Sequence, residues 1–161
     1  ALKSGLYILP ELYGKDFSKE QVANLLYGPS YVSLDYALSR YGLIPEEVHS
    51  ITSVCTGRKK CFETAIGTFI YRQLKPTYYS LAYERRQAED SPYLMATVEK
   101  ALCDKLYLAP VLDGIAGLEG YLFEDQRIDE GALRLLDQNL ISHLAEVSGK
   151  QNLKLLKEIS R

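Results

Sequence analysis

The side chains best suited to chemistry form a basic cluster in the middle of the chain. Residues 48–86 carry seven basic side chains against two acidic ones, a net charge of +5 in a chain whose total is −2. Arginine and lysine neutralise the phosphates of nucleic acids, so this stretch predicts a surface for phosphate or for an acidic partner. The alternative is that these are solvated hairpin tips, which are often basic to discourage strand pairing. The candidate phosphate-binding residues are Arg58, Lys59, Lys60, Arg72, Arg85 and Arg86.

Patterns for catalysis or metal binding are weak. Cys55 and Cys61 lie near His49, but their spacing is not that of a zinc site. The chain has neither the glycine-rich phosphate-binding loops nor the Gly-x-Ser-x-Gly pattern of nucleophilic hydrolases. Acidic residues near lysines would suit a Mg²⁺-dependent nuclease, which is the rival hypothesis. The spacing of Lys100 and Asp104 instead favours an ion pair on a solvated helix face. The sequence therefore predicts a protein that is not an enzyme and has neither cofactor nor metal.

Composition narrows the class of protein further. Hydrophobic residues make up 47% of the 161 residues, which excludes global disorder. No run of 18 apolar residues predicts a membrane span, and no secretory signal is recognisable. The three cysteines are too few for a disulfide scaffold, so we expect reduced thiols and a cytoplasmic protein without membrane association.

Tyrosine is unusually frequent, with 13 residues and no tryptophan. Several tyrosines fall in or beside the basic stretch, where aromatic rings could stack on unpaired bases. The favoured interpretation is that they pack a small sheet, with their hydroxyls at its rim. A tyrosine-rich sheet used for protein interaction is a further alternative.

Hydrophobic periodicity predicts an α+β fold. Helices are expected from Ser18 to about Tyr27, with a Ser-x-x-Gln capping box, and from Ser33 to Tyr41. Residues 48–96 are expected to form a central, mainly antiparallel sheet, a meander with a hairpin tip at residues 57–60. A helix over residues 97–108 is expected to pack on the sheet. A helical C-terminal tail follows, after a loop over residues 113–117. The predicted strands are residues 48–56, 61–64, 68–74, 78–85 and 93–96.

An ordered series of short segments carries a family resemblance. Its parts are Gly5-Leu-Tyr-Ile-Leu-Pro10, Asn24-Leu-Leu-Tyr-Gly-Pro-Ser-Tyr-Val-Ser-Leu-Asp-Tyr-Ala-Leu38, Tyr41-Gly-Leu-Ile-Pro45, Thr52-Ser-Val with the basic turn after it, Phe62-Glu-Thr64 with Gly67 and Phe69, and Ala96-Thr-Val-Glu-Lys-Ala-Leu-Cys-Asp104. Together they resemble the AbiEi family of antitoxins from type IV toxin–antitoxin (abortive infection) systems. The resemblance covers residues 2–108 well and the tail loosely. Val98 stands where the family usually has proline.

The resemblance implies a transcriptional regulator with a DNA-binding winged helix–turn–helix and a C-terminal antitoxin domain. Its partners would be operator DNA in the full-length protein and a nucleotidyltransferase-like toxin, opposed without a stable complex. Residues 1–14 correspond to the remnant of the wing, where Lys3 would touch DNA, and residues 15–161 to the antitoxin domain. No helix–turn–helix precedes Leu2, so the sequence is expected to be a fragment that binds operator DNA weakly.

Overall fold

The computed structural model describes residues 18–88 and 91–160. The predicted wing remnant, with Lys3, lies outside these residues. The fold is α+β, as the periodicity predicts. The elements in chain order are α1 (Lys19–Leu26), β1 (Ser30–Val32), α2 (Leu34–Arg40), β2 (Ile51–Cys55), β3 (Lys60–Thr64), β4 (Gly67–Gln73), α3 (Pro76–Tyr79), β5 (Tyr83–Ala88), β6 (Ser91–Ala96), α4 (Val98–Leu108), α5 (Gly114–Glu119), a π-helical turn (Gly120–Asp125), α6 (Glu130–Arg134), α7 (Gln138–Ser148) and α8 (Gln151–Ile159).

The six strands form one mixed sheet in the order β3-β4-β2-β1-β6-β5. Three neighbouring pairs are antiparallel, namely β3 with β4, β2 with β1, and β6 with β5. The two remaining pairs, β4 with β2 and β1 with β6, are parallel. The predicted meander over residues 48–96 is therefore wrong. Its first hairpin does not form, because β2 lies against β4 and β1, while β3 pairs with β4 alone.

The burial of the residues in each strand agrees with the position of that strand in the sheet. Four of the five residues of β2 are buried, as suits a central strand. β3 alternates between exposed and half-buried residues and lies at the edge. The three-residue strand β1, which the periodicity did not indicate, fills the centre of the sheet between β2 and β6. A fully buried strand this short shows no alternation that a sequence pattern could detect.

Helices cover both faces of the sheet. On one face, the Tyr71 hydroxyl of β4 donates to the Ala23 carbonyl of α1 at 2.5 Å. On the other face, Lys100 of α4 donates to the Tyr31 hydroxyl of β1 at 2.7 Å. α1 begins where the Ser18 hydroxyl accepts from the Gln21 amide at 3.2 Å, the bond that the capping box predicts. α2 packs against α4 and β2.

The region between β4 and β5 differs from the prediction. Residues 78–85 were expected to be a strand, but Pro76 starts the helical turn α3, which buries Tyr78 and Tyr79. Proline suits the first turn of a helix because it has no N–H to leave unpaired. Strand β5 therefore begins only at Tyr83 and continues to Ala88.

The C-terminal helices pack on α4, which occupies the predicted range. Asn152 of α8 ties the segment after α4 in place: its side chain donates to the carbonyls of Leu106 and Pro110 at 3.0 Å each and accepts from the Leu112 amide at 2.9 Å. The predicted loop over residues 113–117 is wrong, because Gly114 starts helix α5.

Candidate functional site

A groove between β4 and the C-terminal end of α4 gathers part of the predicted basic cluster. Side chains of β4 alternate, so Phe69 and Tyr71 are buried against α1 while Ile70 and Arg72 face the groove. One part of the groove, about 310 Å³, is lined by Leu34, Asp35, Thr52, Ile70, Arg72, Lys105, Leu108, Ala109 and Tyr121. The other part, about 520 Å³, is lined by Arg58, Lys59, Arg72, Gln73 and Leu108.

Arg72 and Leu108 line both parts, so the two are adjacent, and we call them together the basic groove. Its cationic end consists of Arg58, Lys59 and Arg72, all of them exposed. Within residues 18–88 and 91–160, none of these three side chains forms an ion pair. Three unpaired cations in one concave surface are available to an anionic ligand.

The turn that carries Arg58 and Lys59 is held by the residues around it. The Tyr27 hydroxyl donates to the Arg58 carbonyl at 3.0 Å. Gly57 allows this contact, since a Cβ atom at that position would lie 2.5 Å from the Tyr27 hydroxyl oxygen. From β4, the Gln73 amide donates to the Thr56 carbonyl at 3.1 Å. The side chains of Arg58 and Lys59 therefore project from a turn that Tyr27 and Gln73 hold in place.

The other end of the groove, its far end, holds an ion pair between apolar walls. The Lys105 ammonium is paired with the Asp35 carboxylate. Burial, together with the charges of Asp35 and Asp125, raises the pKa of Tyr121 to about 12. The neighbouring Ile70 and Leu108 give this end apolar walls. The basic groove thus runs from a cationic end to a largely apolar far end, where Asp35 and Lys105 neutralise one another.

The structure separates Lys60 from this groove. In the β3–β4 ladder Lys60 lies opposite Tyr71, and directly opposed residues point to the same face of a sheet. Lys60 is therefore on the face opposite to Arg72, with its ammonium 5.7 Å from the ring centroid of Tyr27. The prediction placed it with Arg58 and Lys59 because adjacency in sequence does not reveal the side of the sheet.

Arg85 and Arg86 lie still further away, on β5 at the opposite edge of the sheet. Arg86 is engaged locally: it donates to the Glu84 carboxylate at 3.0 Å and to the Tyr41 hydroxyl at 3.2 Å. The six candidate residues therefore do not form one patch. Lys3, the remaining candidate, lies outside the described residues.

Most tyrosines of the basic stretch are packed inside the protein. Tyr71, Tyr78, Tyr79 and Tyr93 are buried. Tyr31 stacks on Tyr83 with ring centroids 4.7 Å apart. Covered ring faces cannot stack on bases, so these four tyrosines are packing residues, as expected. The expectation that their hydroxyls lie at the rim is wrong for Tyr71 and Tyr78, whose hydroxyls are buried.

Beneath the groove lies an ion pair that sequence analysis misplaced. Lys100 and Asp104 are fully buried rather than on a solvated helix face. The Lys100 ammonium bonds to the Asp104 carboxylate and lies 3.9 Å from the ring centroid of Tyr78. The Ser33 hydroxyl donates to the other oxygen of Asp104 at 2.6 Å. The spacing of four residues indicated the pair, but nothing local indicated its burial.

Burial acts on the two charges in opposite directions. It lowers the pKa of Lys100 and raises the pKa of Asp104, while their mutual attraction opposes both shifts. Ser33 precedes Leu34, and Asp104 precedes Lys105, so each anchors a residue that lines the groove. The ion pair lies within α4, and the hydrogen bond from Ser33 to Asp104 joins the start of α2 to α4 next to these two lining residues.

In the described parts of the chain, no three histidine, cysteine or carboxylate side chains lie close enough together to hold a metal ion. Over the same residues, each helix is too short or too polar to span a lipid bilayer. Comparison with protein-family models, curated proteins and solved structures finds no match to this chain.

Proposed function

We propose that this chain is the non-catalytic, phosphate-binding domain of an antitoxin-type transcriptional regulator of the AbiEi kind, from a type IV toxin–antitoxin system. The observation that supports the proposal most is the meeting of Arg58, Lys59 and Arg72 in one groove without acidic partners. Residues 15–161 would form the antitoxin domain. Residues 1–14 would correspond to part of the wing, with Lys3 beside DNA.

In this proposal the domain works by binding and makes or breaks no covalent bond. In a regulator of this kind a winged helix–turn–helix reads the operator, and the basic groove would add phosphate contacts that carry no sequence information. The toxin, a nucleotidyltransferase-like protein, is opposed in the cytoplasm without a stable complex, through the nucleic acid on which it acts. If the three cations each neutralise one phosphate of a duplex, log affinity falls with log salt concentration with a slope of about −2.7.

The test is rescue of cell growth from a co-expressed nucleotidyltransferase-like toxin. The variant Arg58→Ala/Lys59→Ala/Arg72→Ala removes the cationic end of the groove and should lose rescue. All three side chains are exposed, so its melting temperature should stay near that of the unaltered protein.

Two control variants separate the groove from net charge. Lys19→Ala/Arg85→Ala/Lys154→Ala removes three exposed positive charges outside the groove, and Lys60→Ala removes the neighbouring charge that faces away from it. Both should rescue fully. Rescue by the folded groove variant, or equal loss in the controls, would overturn the proposed function of the groove.

A further inference from the structure

The basic groove differs from a simple phosphate-binding surface because its two ends differ in charge. Arg58, Lys59 and Arg72 form the cationic end, whereas at the far end Asp35 pairs with Lys105 in the part of the groove that Tyr121 also lines. Phosphates are attracted to the unpaired cations of the first end. Apart from Arg72, the residues that line the far end include no unpaired cation. The ligand that suits the whole groove therefore carries phosphate on one part and an uncharged, partly apolar group on another.

The far end has walls that suit a nucleobase. Ile70 and Leu108 offer aliphatic surface, and Tyr121 adds an aromatic ring. This part of the groove, about 310 Å³, is within the range of pockets that hold small planar ligands. In a duplex the bases are paired and stacked inside the helix, so only an unpaired strand can place a base there while its backbone follows the cations.

Asp35 supplies a hydrogen-bond acceptor for such a base. One of its carboxylate oxygens accepts from Lys105. The other, among the residues that the structure describes, has no hydrogen-bond partner, and 42% of the side chain is exposed. A free carboxylate oxygen accepts from the exocyclic amino group of cytosine, whereas uracil has at the same ring position a carbonyl oxygen, which the carboxylate repels.

We propose that the basic groove binds single-stranded nucleic acid, with backbone phosphates at Arg58, Lys59 and Arg72 and an amino-bearing base beside Asp35. This inference rests on the proposed function, since the same cations hold the phosphates. It adds that the nucleic acid is single-stranded and that the base beside Asp35 carries an amino group. The row of three cations favours a strand, with several phosphates, over a free nucleotide.

The test is fluorescence anisotropy of the protein with labelled strands of about ten nucleotides. The probes are oligo-deoxycytidine, oligo-deoxyuridine and a duplex of equal length, with deoxycytidine monophosphate as competitor. The cytidine strand should bind about tenfold more tightly than the uridine strand and than the duplex. The monophosphate should compete only at far higher concentration. Equal binding of the duplex, or competition by the monophosphate at the concentration of the strand, would overturn the inference.

Three variants locate the interaction. Asp35→Ala should abolish the preference for the cytidine strand over the uridine strand. The change in net charge affects both strands alike, so it leaves the ratio of their affinities unchanged. Arg72→Ala should weaken every probe by about tenfold, and the matched Arg85→Ala should weaken none. An unchanged cytidine preference in Asp35→Ala would contradict the placement of the base.

The outcomes also separate the inference from the proposed function. If the duplex binds as tightly as the strands and Arg72→Ala weakens all of them, the groove holds phosphates but takes no base. In that case the inference fails and the proposed function stands. If Arg72→Ala changes no affinity, the cationic end has no role in binding and both fail.

Discussion

Replacing Lys100 by methionine tests how much the buried ion pair of α4 contributes to the stability of the protein. Methionine keeps much of the length of the lysine side chain and removes its ammonium group. The Asp104 carboxylate then remains fully buried, with the Ser33 hydroxyl still donating to it at 2.6 Å. Removing one partner of a buried pair costs about 3–5 kcal/mol, because the other charge is left uncompensated.

That loss is large against the stability of a domain of this size, about 5–15 kcal/mol. At a shift of about 2–4 °C per kcal/mol, the melting temperature should fall by roughly 6–20 °C. The double variant Lys100→Met/Asp104→Leu removes both charges and should recover most of the loss. The free energy of unfolding is measured by urea titration with circular dichroism, since the chain has no tryptophan for fluorescence.

The pH dependence gives a second measure of the same effect. Burial already raises the pKa of Asp104, and without Lys100 it should rise further. A carboxyl group whose pKa is higher in the folded state binds a proton more readily there, so its folded state is favoured as the pH falls. The loss in free energy of unfolding that Lys100→Met causes should therefore be smaller at about pH 5 than at about pH 8.

The surface pair Arg134–Glu130 serves as the matched control. Its atoms are 3.6 Å apart at the same spacing of four residues, but the side chains are 78% and 64% exposed. Arg134→Met should cause no measurable loss, because exposed pairs contribute little. If Lys100→Met costs less than about 1 kcal/mol, or costs no more than Arg134→Met, the described role of the buried pair is refuted.

Two further measurements test smaller contacts. Tyr36→Phe removes the hydroxyl that donates to the Glu20 carboxylate at 2.6 Å. Burial raises the pKa of Glu20, but hydrogen bonds from Tyr36 and Ser18 outweigh it and hold that pKa below the ordinary 4.5. The stabilisation from these hydrogen bonds is present above pH 4.5 and is lost as the pH falls through the pKa of Glu20 in the folded state. Tyr36→Phe should therefore lower the free energy of unfolding by about 1.5–3 kcal/mol at neutral pH and by less in acid. A loss independent of pH would contradict this. Gly57→Ala should displace Tyr27 and destabilise the protein by about 1 kcal/mol. Gly120→Ala has open space around its Cβ position and should stabilise the protein by about 0.5–1 kcal/mol. Equal shifts of the melting temperature in the two variants would contradict the close contact at Gly57.

Local chemistry made part of the fold predictable. The bond between Ser18 and the Gln21 amide is set by residues three apart. Helix α4 follows Thr97, whose hydroxyl accepts from the Lys100 amide at 3.2 Å. Helix α7 ends at Gly149, which has the left-handed φ of 64° that glycine adopts readily. Each of these signals lies within a few residues of the feature it determines.

Strand pairing could not be predicted in the same way. The parallel pairing of β2 with β4 depends on which strand buries which face, and β1 is too short to show alternation. The basic cluster was detectable from charge, yet its division between two faces and two edges of the sheet follows from register. The far end of the groove gave no sequence signal, because Asp35 and Lys105 meet across 70 residues.

The most direct test of the account is the location of bound phosphate on the protein. Backbone and arginine side-chain resonances of the 18.2-kDa chain are followed by nuclear magnetic resonance while a single-stranded oligonucleotide is added. The account predicts chemical-shift changes concentrated at Arg58, Lys59 and Arg72, with Arg85 unaffected. Changes concentrated on β5, or spread evenly over all exposed basic residues, would contradict it.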